Sequence, residues 1–352
     1  MNHLQRVQAV LQGQLPDRLP VIPQSFMFSA KTAGYNIAEI NRSPQKMAES
    51  HRICQEKYGY DGCVIDVDAA TLAEACGARV NWREDNVASV DEHHPALKSL
   101  KDIDSLHFPD PYKDARLPEW LETTSRLKDM IGKDVFIMGR ADQGPFSLLS
   151  LLRGTQNFMV DLLEEEPEVI QHALEWTTKV HIAFAKAQLE VGAHATSMGD
   201  AYASPNLVAP SIFRNYAFAY EKQVVDAVQT KEGHYSIHIC GDTNKIIREM
   251  GETGARILEI DWKVNMKQAR EVLPDSCILM GNINPSDPIY LGTPEQVKAT
   301  AEKIIRDVRG KGLILSSGCA IGANAKPENI SAMVEAAKLY GTSEQLLELQ
   351  EG

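Results

Sequence analysis

Three residues in this chain have types and spacing that read as metal chemistry: His238 and Cys240, separated only by Ile239, and the distant Cys319. On a strand, residues i and i+2 point to one face, which would set the imidazole and the thiol side by side with Cβ atoms about 6–7 Å apart. A single metal with bonds of ~2.0–2.3 Å spans that gap. One nitrogen and two thiolates suit zinc, and three protein ligands leave a fourth position open, the mark of a catalytic site. Two local features favour thiolates. Cys240 precedes a helix expected to begin near Asp242, whose positive end lowers a thiol pKa. Cys319 lies in Ser316-Ser317-Gly318-Cys319-Ala320-Ile321-Gly322, a glycine-rich turn whose amides can face negative charge. A His-x-Cys pair also arises in packed cores, where cysteine is among the most buried residue types, so spacing alone leaves packing and metal roles both open.

Such residues need a scaffold. Eight apolar, β-branched runs recur along the chain, all but the first ending in a polar or catalytic-looking residue, and each followed by a helical stretch. They are Val21–Phe26, Gly62–Asp68, Val135–Arg140, Ala193–Asp200, Tyr235–Cys240, Ala255–Asp261, Cys277–Asn282 and Gly312–Cys319. Strands alternating with helices imply βαβ units and a parallel sheet. One of the expected helices has Thr293 as N-cap, Pro294 at its first position, and Val297, Ala301, Ile304 and Ile305 on its buried face. The last runs from Pro327 to Gly341. With no G-x-G-x-x-G and no G-x-x-x-x-G-K-[ST], an open nucleotide-binding sheet is disfavoured. The expected fold is one α/β domain over residues 1–352, a (β/α)8 TIM barrel with a short N-terminal helical extension, residues 1–18. Polar residues at the strand ends then line one mouth, where catalysis occurs in such barrels. Asp68, Arg140, Asp200, His238, Cys240, Asp261, Asn282 and Cys319 all stand at such ends.

Composition narrows the partners. The chain has 352 residues, 43% hydrophobic and 24% charged, and a net charge of −12. That balance argues against nucleic acid or an anionic membrane, which call for basic surfaces. No stretch approaches 18 continuous apolar residues and no leader is evident at the N-terminus, so a cytoplasmic location is expected. Six cysteines are too few for a disulfide scaffold and are free to be nucleophiles, ligands or packing residues.

The segments HICGDTNKIIREMGETGARILEIDW, ILMGNINPSDPIYLGTPEQV and ILSSGCAIGANAKPENISAMVEAAKLYG resemble the uroporphyrinogen decarboxylase superfamily. The likeness covers most of the chain and is strongest from about Ala193 onward; GYDGCVIDVDAATLAEACGARV and GPFSLLSLLRG match more weakly. The sequence is most similar to the zinc methyltransferase branch, whose His-x-Cys…Cys motif falls here on His238, Cys240 and Cys319. The resemblance implies a (β/α)8 barrel, a zinc ion, and a corrinoid, cobalamin-type cofactor carried by a partner protein. It also implies a small methyl ether, methylated amine or thiol as the other substrate. Zinc would either hold a thiol acceptor as thiolate or act as a Lewis acid on a methyl donor's heteroatom. The motif does not choose between these directions.

The alternative is a metal-independent decarboxylase of a tetrapyrrole-like polyacid. Against it, VIPQSFMFSAKTAGYN lacks the paired arginines of that branch, and its Gly-His-Gly position reads Gly318-Cys319-Ala320. Asp68 matches the decarboxylase aspartate and suits either branch. Glu74 is a candidate fourth metal ligand, with a helix-surface role as its alternative. Arg140, ahead of Arg153, can grip a carboxylate or sulfonate through its guanidinium. Asp200, Tyr202 and Asp261 can bond to substrate or orient His238, and Asn282 completes the candidate substrate-binding set. His93 and His94 are expected in solvent; Cys54, Cys63, Cys76 and Cys277 are expected to pack.

Overall fold

The apolar runs become the strands of one parallel sheet in the computed structural model, which describes residues 1–66, 68–84 and 86–351. In chain order they are β1 (Gly62–Ile65), β2 (Phe136–Gly139), β3 (Ala195–Gly199), β4 (His234–His238), β5 (Ile257–Glu259), β6 (Ile278–Ile283) and β7 (Leu313–Ser317). Each pairs with the next in sequence, giving a seven-stranded sheet. Val67, within the expected run Gly62–Asp68, lies outside the described residues. A separate hairpin pairs Val80–Asn81 with Ser89–Val90.

The first expected run, Val21–Phe26, is not a strand. Pro20 and Pro23 have no N–H to give to a ladder, and Phe26 already opens the helix Phe26–Ala33. What remains is one parallel bridge, Val21 to Leu315. The Ile22 amide donates to the Leu315 carbonyl at 2.9 Å, and the Asp61 amide to the Val21 carbonyl at 2.7 Å. The segment thus lies between β7 and the start of β1.

Side chains sort by the two-residue period of a strand. Val64, Phe136, Met138, Ile257, Ile278, Met280 and Ile314 gather in an inner cluster. Their neighbours Cys63, Ile65, Ile137, Leu258, Leu279, Leu313 and Leu315 pack outward in the larger cluster with the surrounding helices. The helix His3–Leu11 adds Val7, Val10 and Leu11 to the inner cluster. The N-terminal extension is therefore a plug for one end of the sheet rather than an appendage. The helix Pro294–Asp307 has the expected Thr293 cap, closed as a capping box with Gln296, and Pro327–Tyr340 follows the final strand. Among the described residues no helix is long and apolar enough to cross a membrane.

Candidate metal and substrate site

The register brings the candidate ligands together at the C-terminal strand ends. His238 closes β4, opposite Gly199 of β3 and Glu259 of β5. Cys240 lies two residues past the strand rather than in it, yet His238 Nε2 and Cys240 Sγ are 3.1 Å apart. Cys319 follows β7, with its sulfur 3.8 Å from that of Cys240. The three ligand atoms all lie within 4.8 Å of one another. Two Zn–S bonds of ~2.3 Å at a tetrahedral angle hold sulfurs about 3.8 Å apart, so the sulfur separation suits a tetrahedral ion.

The rest of the site is built around this triad. His238 Nδ1 lies 3.0 Å from the Glu259 main-chain carbonyl, which can only accept. Nδ1 therefore carries the proton and Nε2 turns its lone pair toward the thiols. Period two places Asp66, Arg140, Ser236 and Glu259 in one inward layer just above the apolar filling. Arg140 binds Glu259 through two nitrogens at 3.2 and 2.8 Å, donates to the Met198 carbonyl, and pairs with Asp66 at 3.3 Å. Ser236 donates to the Glu259 carboxylate at 2.8 Å.

The expected helix dipole at Cys240 is absent. The next helix is Ile247–Glu252, and Asp242 instead accepts from the Asn244 amide at 3.1 Å. The contact with Cys319 pulls the Cys240 thiol below its ordinary value, and the Arg140 charge adds to this. The same sulfur contact, with burial, pushes Cys319 up. Against the desolvation of burial, Cys319 holds His238 above the usual imidazole value. The turn after β7 is also less open than expected, because its Gly318 amide is spent on the Ile283 carbonyl at 2.7 Å.

The other candidates fall into place around the mouth. Asp261 and Asn282 brace loops: the Asp261 carboxylate accepts from the Gly241 and Lys263 amides at 2.8 and 2.9 Å. Asn282 donates to the main-chain carbonyls of Asp261 and Val264, both at 3.0 Å. Asp200 is fully buried, accepts from the Ser147 amide at 2.7 Å, and faces the buried Glu221. Burial pushes Asp200 up to about 6 and Glu221 well above the carboxylate range. Tyr202 is half-buried, its amide bonded to Ser147 Oγ. Asp68 and Glu74 both grip Arg116, at 2.7 and 2.6 Å. Glu74 is not part of the three-residue ligand group. Arg153 pairs with Asp161, and His93 and His94 are exposed as expected. Cys54, Cys63, Cys76 and Cys277 are buried.

Sequence reasoning passed over Glu259, Arg116 and Glu221. A glutamate interrupting the apolar run ARILEID was a readable signal for the first. Arg116 stands in a charged turn just before the helix Leu117–Ile131 and Glu221 within the helix Phe218–Val228, where either resembles an ordinary solvated charge.

The uroporphyrinogen decarboxylase (URO-D) family model matches residues 2–340, and the chain belongs to that family. Within it, the methylcobamide:CoM methyltransferase MtbA of Methanosarcina acetivorans is 29% identical over 341 residues, spanning 96% of this chain and 97% of that relative. The uroporphyrinogen decarboxylase of Synechococcus sp. is 26% identical over 287 residues, 79% of this chain and 78% of the enzyme. In three dimensions a methyltransferase from Methanosarcina mazei superposes with a TM-score of 0.88 at 25% identity, over 97% of this chain and 99% of that one. A B12-independent methionine synthase from Shewanella sp. shares the fold at a TM-score of 0.60 and 13% identity, over 94% and 99% of the two chains.

Proposed function

We propose that this protein is a zinc-dependent, cytoplasmic methyltransferase that moves a methyl group from the cobalt of a corrinoid protein to a small thiol. It is read as one domain of residues 1–352, a (β/α)8 barrel in which the Val21 segment supplies the eighth staves' position. The observation that carries the function is the His238, Cys240 and Cys319 cluster, with all three ligand atoms within 4.8 Å, on a fold shared with corrinoid methyltransferases.

Zinc bound there supplies a Lewis acid that keeps a thiol deprotonated near neutral pH. His238 would hold it through Nε2, and Cys240 and Cys319 through their sulfurs. Glu259 fixes the imidazole through its carbonyl, while the buried Arg140 sets positive charge beneath two thiolates. The reaction balances as methyl-cobalt(III) and thiolate giving methyl thioether and cobalt(I), with the thiol proton released to solvent. The thiol acceptor, rather than a methyl donor, follows the naming of the relatives as CoM methyltransferases. The Arg140 guanidinium is occupied by Glu259, Asp66 and the Met198 carbonyl, so it serves the ligand shell and not an anionic substrate. Asp68, Asp200, Tyr202 and Asn282 shape the mouth around the acceptor, and Asp261 braces the loops that border it without touching the acceptor.

Metal analysis of the purified protein tests this reading. About one zinc per chain is expected in the wild type and far less in His238→Ala, Cys240→Ala and Cys319→Ala. Wild-type protein without zinc, or variants that retain it, would refute it.

A further inference from the structure

The two sulfur ligands come from loops that do not touch through their own strands, since β4 and β7 are separated in the sheet by β5 and β6. Something must set the distance between them. The short segment that follows β5 contacts both loops. On one side, the buried Asp261 carboxylate accepts the amide of Gly241, the residue after Cys240, at 2.8 Å and ties itself to the Lys263 amide at 2.9 Å. Gly241 has φ +94°, a left-handed conformation that turns the chain immediately beyond the ligand. Asn206 closes that turn from above by accepting from the Asp242 amide at 2.6 Å.

On the other side lies Gly318, the residue before Cys319. A Cβ at Gly318 would stand 2.4 Å from the Trp262 amide nitrogen, 2.9 Å from its Cα and 2.8 Å from its Cβ. Two of those atoms are main chain, so no rotamer change relieves the clash. Only glycine lets the Cys319 turn rest directly on the Trp262 backbone. The segment itself is immobilised from below, because Asn282 bonds to the carbonyls of both Asp261 and Val264 at 3.0 Å. The contacts run without a break from Cys240 through Gly241, Asp261, Trp262 and Gly318 to Cys319.

We propose that Asp261–Trp262 is the strut that sets the separation of the two sulfur ligands, acting on Cys240 through the Asp261 carboxylate and on Cys319 through the bare backbone of Gly318. Asp261 and Gly318 are then positioning residues for the metal, neither of them a ligand nor in contact with substrate. The inference rests on the zinc reading of the cluster and adds what fixes its geometry. Lengthening the strut by one methyl at Gly318 pushes the Cys319 turn away from Cys240. Replacing the carboxylate by an amide at Asp261 loses one of the two amide bonds and loosens the Cys240 turn.

The test is cobalt(II) titration of metal-depleted full-length protein, read by thiolate-to-cobalt charge-transfer absorption, with circular dichroism and thermal melting as the check on folding. Gly318→Ala is expected to weaken cobalt binding about 10-fold or more and to diminish the charge-transfer band per bound ion, at unchanged secondary structure. Asp261→Asn is expected to shift affinity in the same direction by a smaller factor. It also decides the matter if the alanine variant does not fold. Wild-type affinity and spectrum in a folded Gly318→Ala or, failing that, in Asp261→Asn would overturn the strut while leaving the metal site standing. A wild type that takes up no cobalt would instead overturn the zinc reading itself.

Discussion

The two ends of the sheet handle buried charge in opposite ways. At the end plugged by the helix His3–Leu11, Asp61 is fully buried and saturated. It accepts from Arg6 at 2.7 Å, from Arg18 at 2.7 and 3.1 Å and from the Val21 amide at 2.8 Å, with His3 Nδ1 at 2.8 Å. Against the desolvation of burial, His3 and Arg18 hold its pKa below the ordinary value. At the other end, the thiols of Cys240 and Cys319 remain half-buried beside a buried imidazole. There, among the described residues, Asp200 Oδ2 and the Glu221 carboxyl have no hydrogen-bond partner beyond each other. Saturated charge locks a structure. Incompletely satisfied polar groups mark where a ligand or reaction is accommodated.

The largest effect expected from breaking this contrast is at the closed end. Asp61→Asn leaves the buried Arg18 guanidinium without its carboxylate and Arg6 with Asp17 alone, which costs about 3–5 kcal/mol. Denaturant unfolding should show that loss while zinc content stays at the wild-type level. A parallel loss of zinc would mean that the two ends are not independent.

At the open end, Glu259→Gln keeps the main-chain carbonyl that orients His238 but removes the charge that anchors Arg140. Metal affinity should fall by about 10-fold, the lower part of the range for groups that orient ligands. Competition with a chromophoric chelator measures it, and an unchanged affinity would show that Arg140 and Glu259 only fill space.

A third effect is on acid stability. Burial lowers His51 and His181 to about 4. Above pH 6.5 these rings are neutral whether the chain is folded or not. Between 6.5 and 4 the unfolded chain takes protons that the folded one refuses, so stability falls with pH by about 1.4 kcal/mol per unit for each ring. Asp200, raised to about 6, works in the opposite sense over the range down to its ordinary value. Comparison with His181→Asn isolates the histidine: its stability-against-pH slope should be shallower by about one proton. Equal slopes would contradict the assignment.

Much of this contrast was legible in the sequence. The βα rhythm, the capped helix at Thr293 and the residues of the His238, Cys240 and Cys319 cluster could all be read, because strand period and cap chemistry are local. Glu259 and Arg116 were missed for a different reason. Glu259 acts through an inward layer assembled from distant strands, and Arg116 through a turn that packing brings against Asp68 and Glu74, and no local pattern encodes either. Arg140 was expected to hold substrate for the same reason: its strand-end position was visible, its bidentate partner three strands away in the same layer was not. The first run failed as a strand because two prolines outweighed its apolar character. Cys240 failed as a helix-dipole thiolate because the Asp242 side chain caps a turn instead of a helix.

The most direct test of the central claim follows the visible spectrum of methylcobalamin mixed with the zinc-loaded protein and a small thiol such as CoM. The account predicts thiol-dependent loss of the methyl-cobalt absorption, accompanied by formation of the methyl thioether. It also predicts that the loss slows to the uncatalysed rate in Cys319→Ala. A methyl-cobalt spectrum that never changes with any thiol, or a Cys319→Ala variant as fast as the wild type, would contradict it.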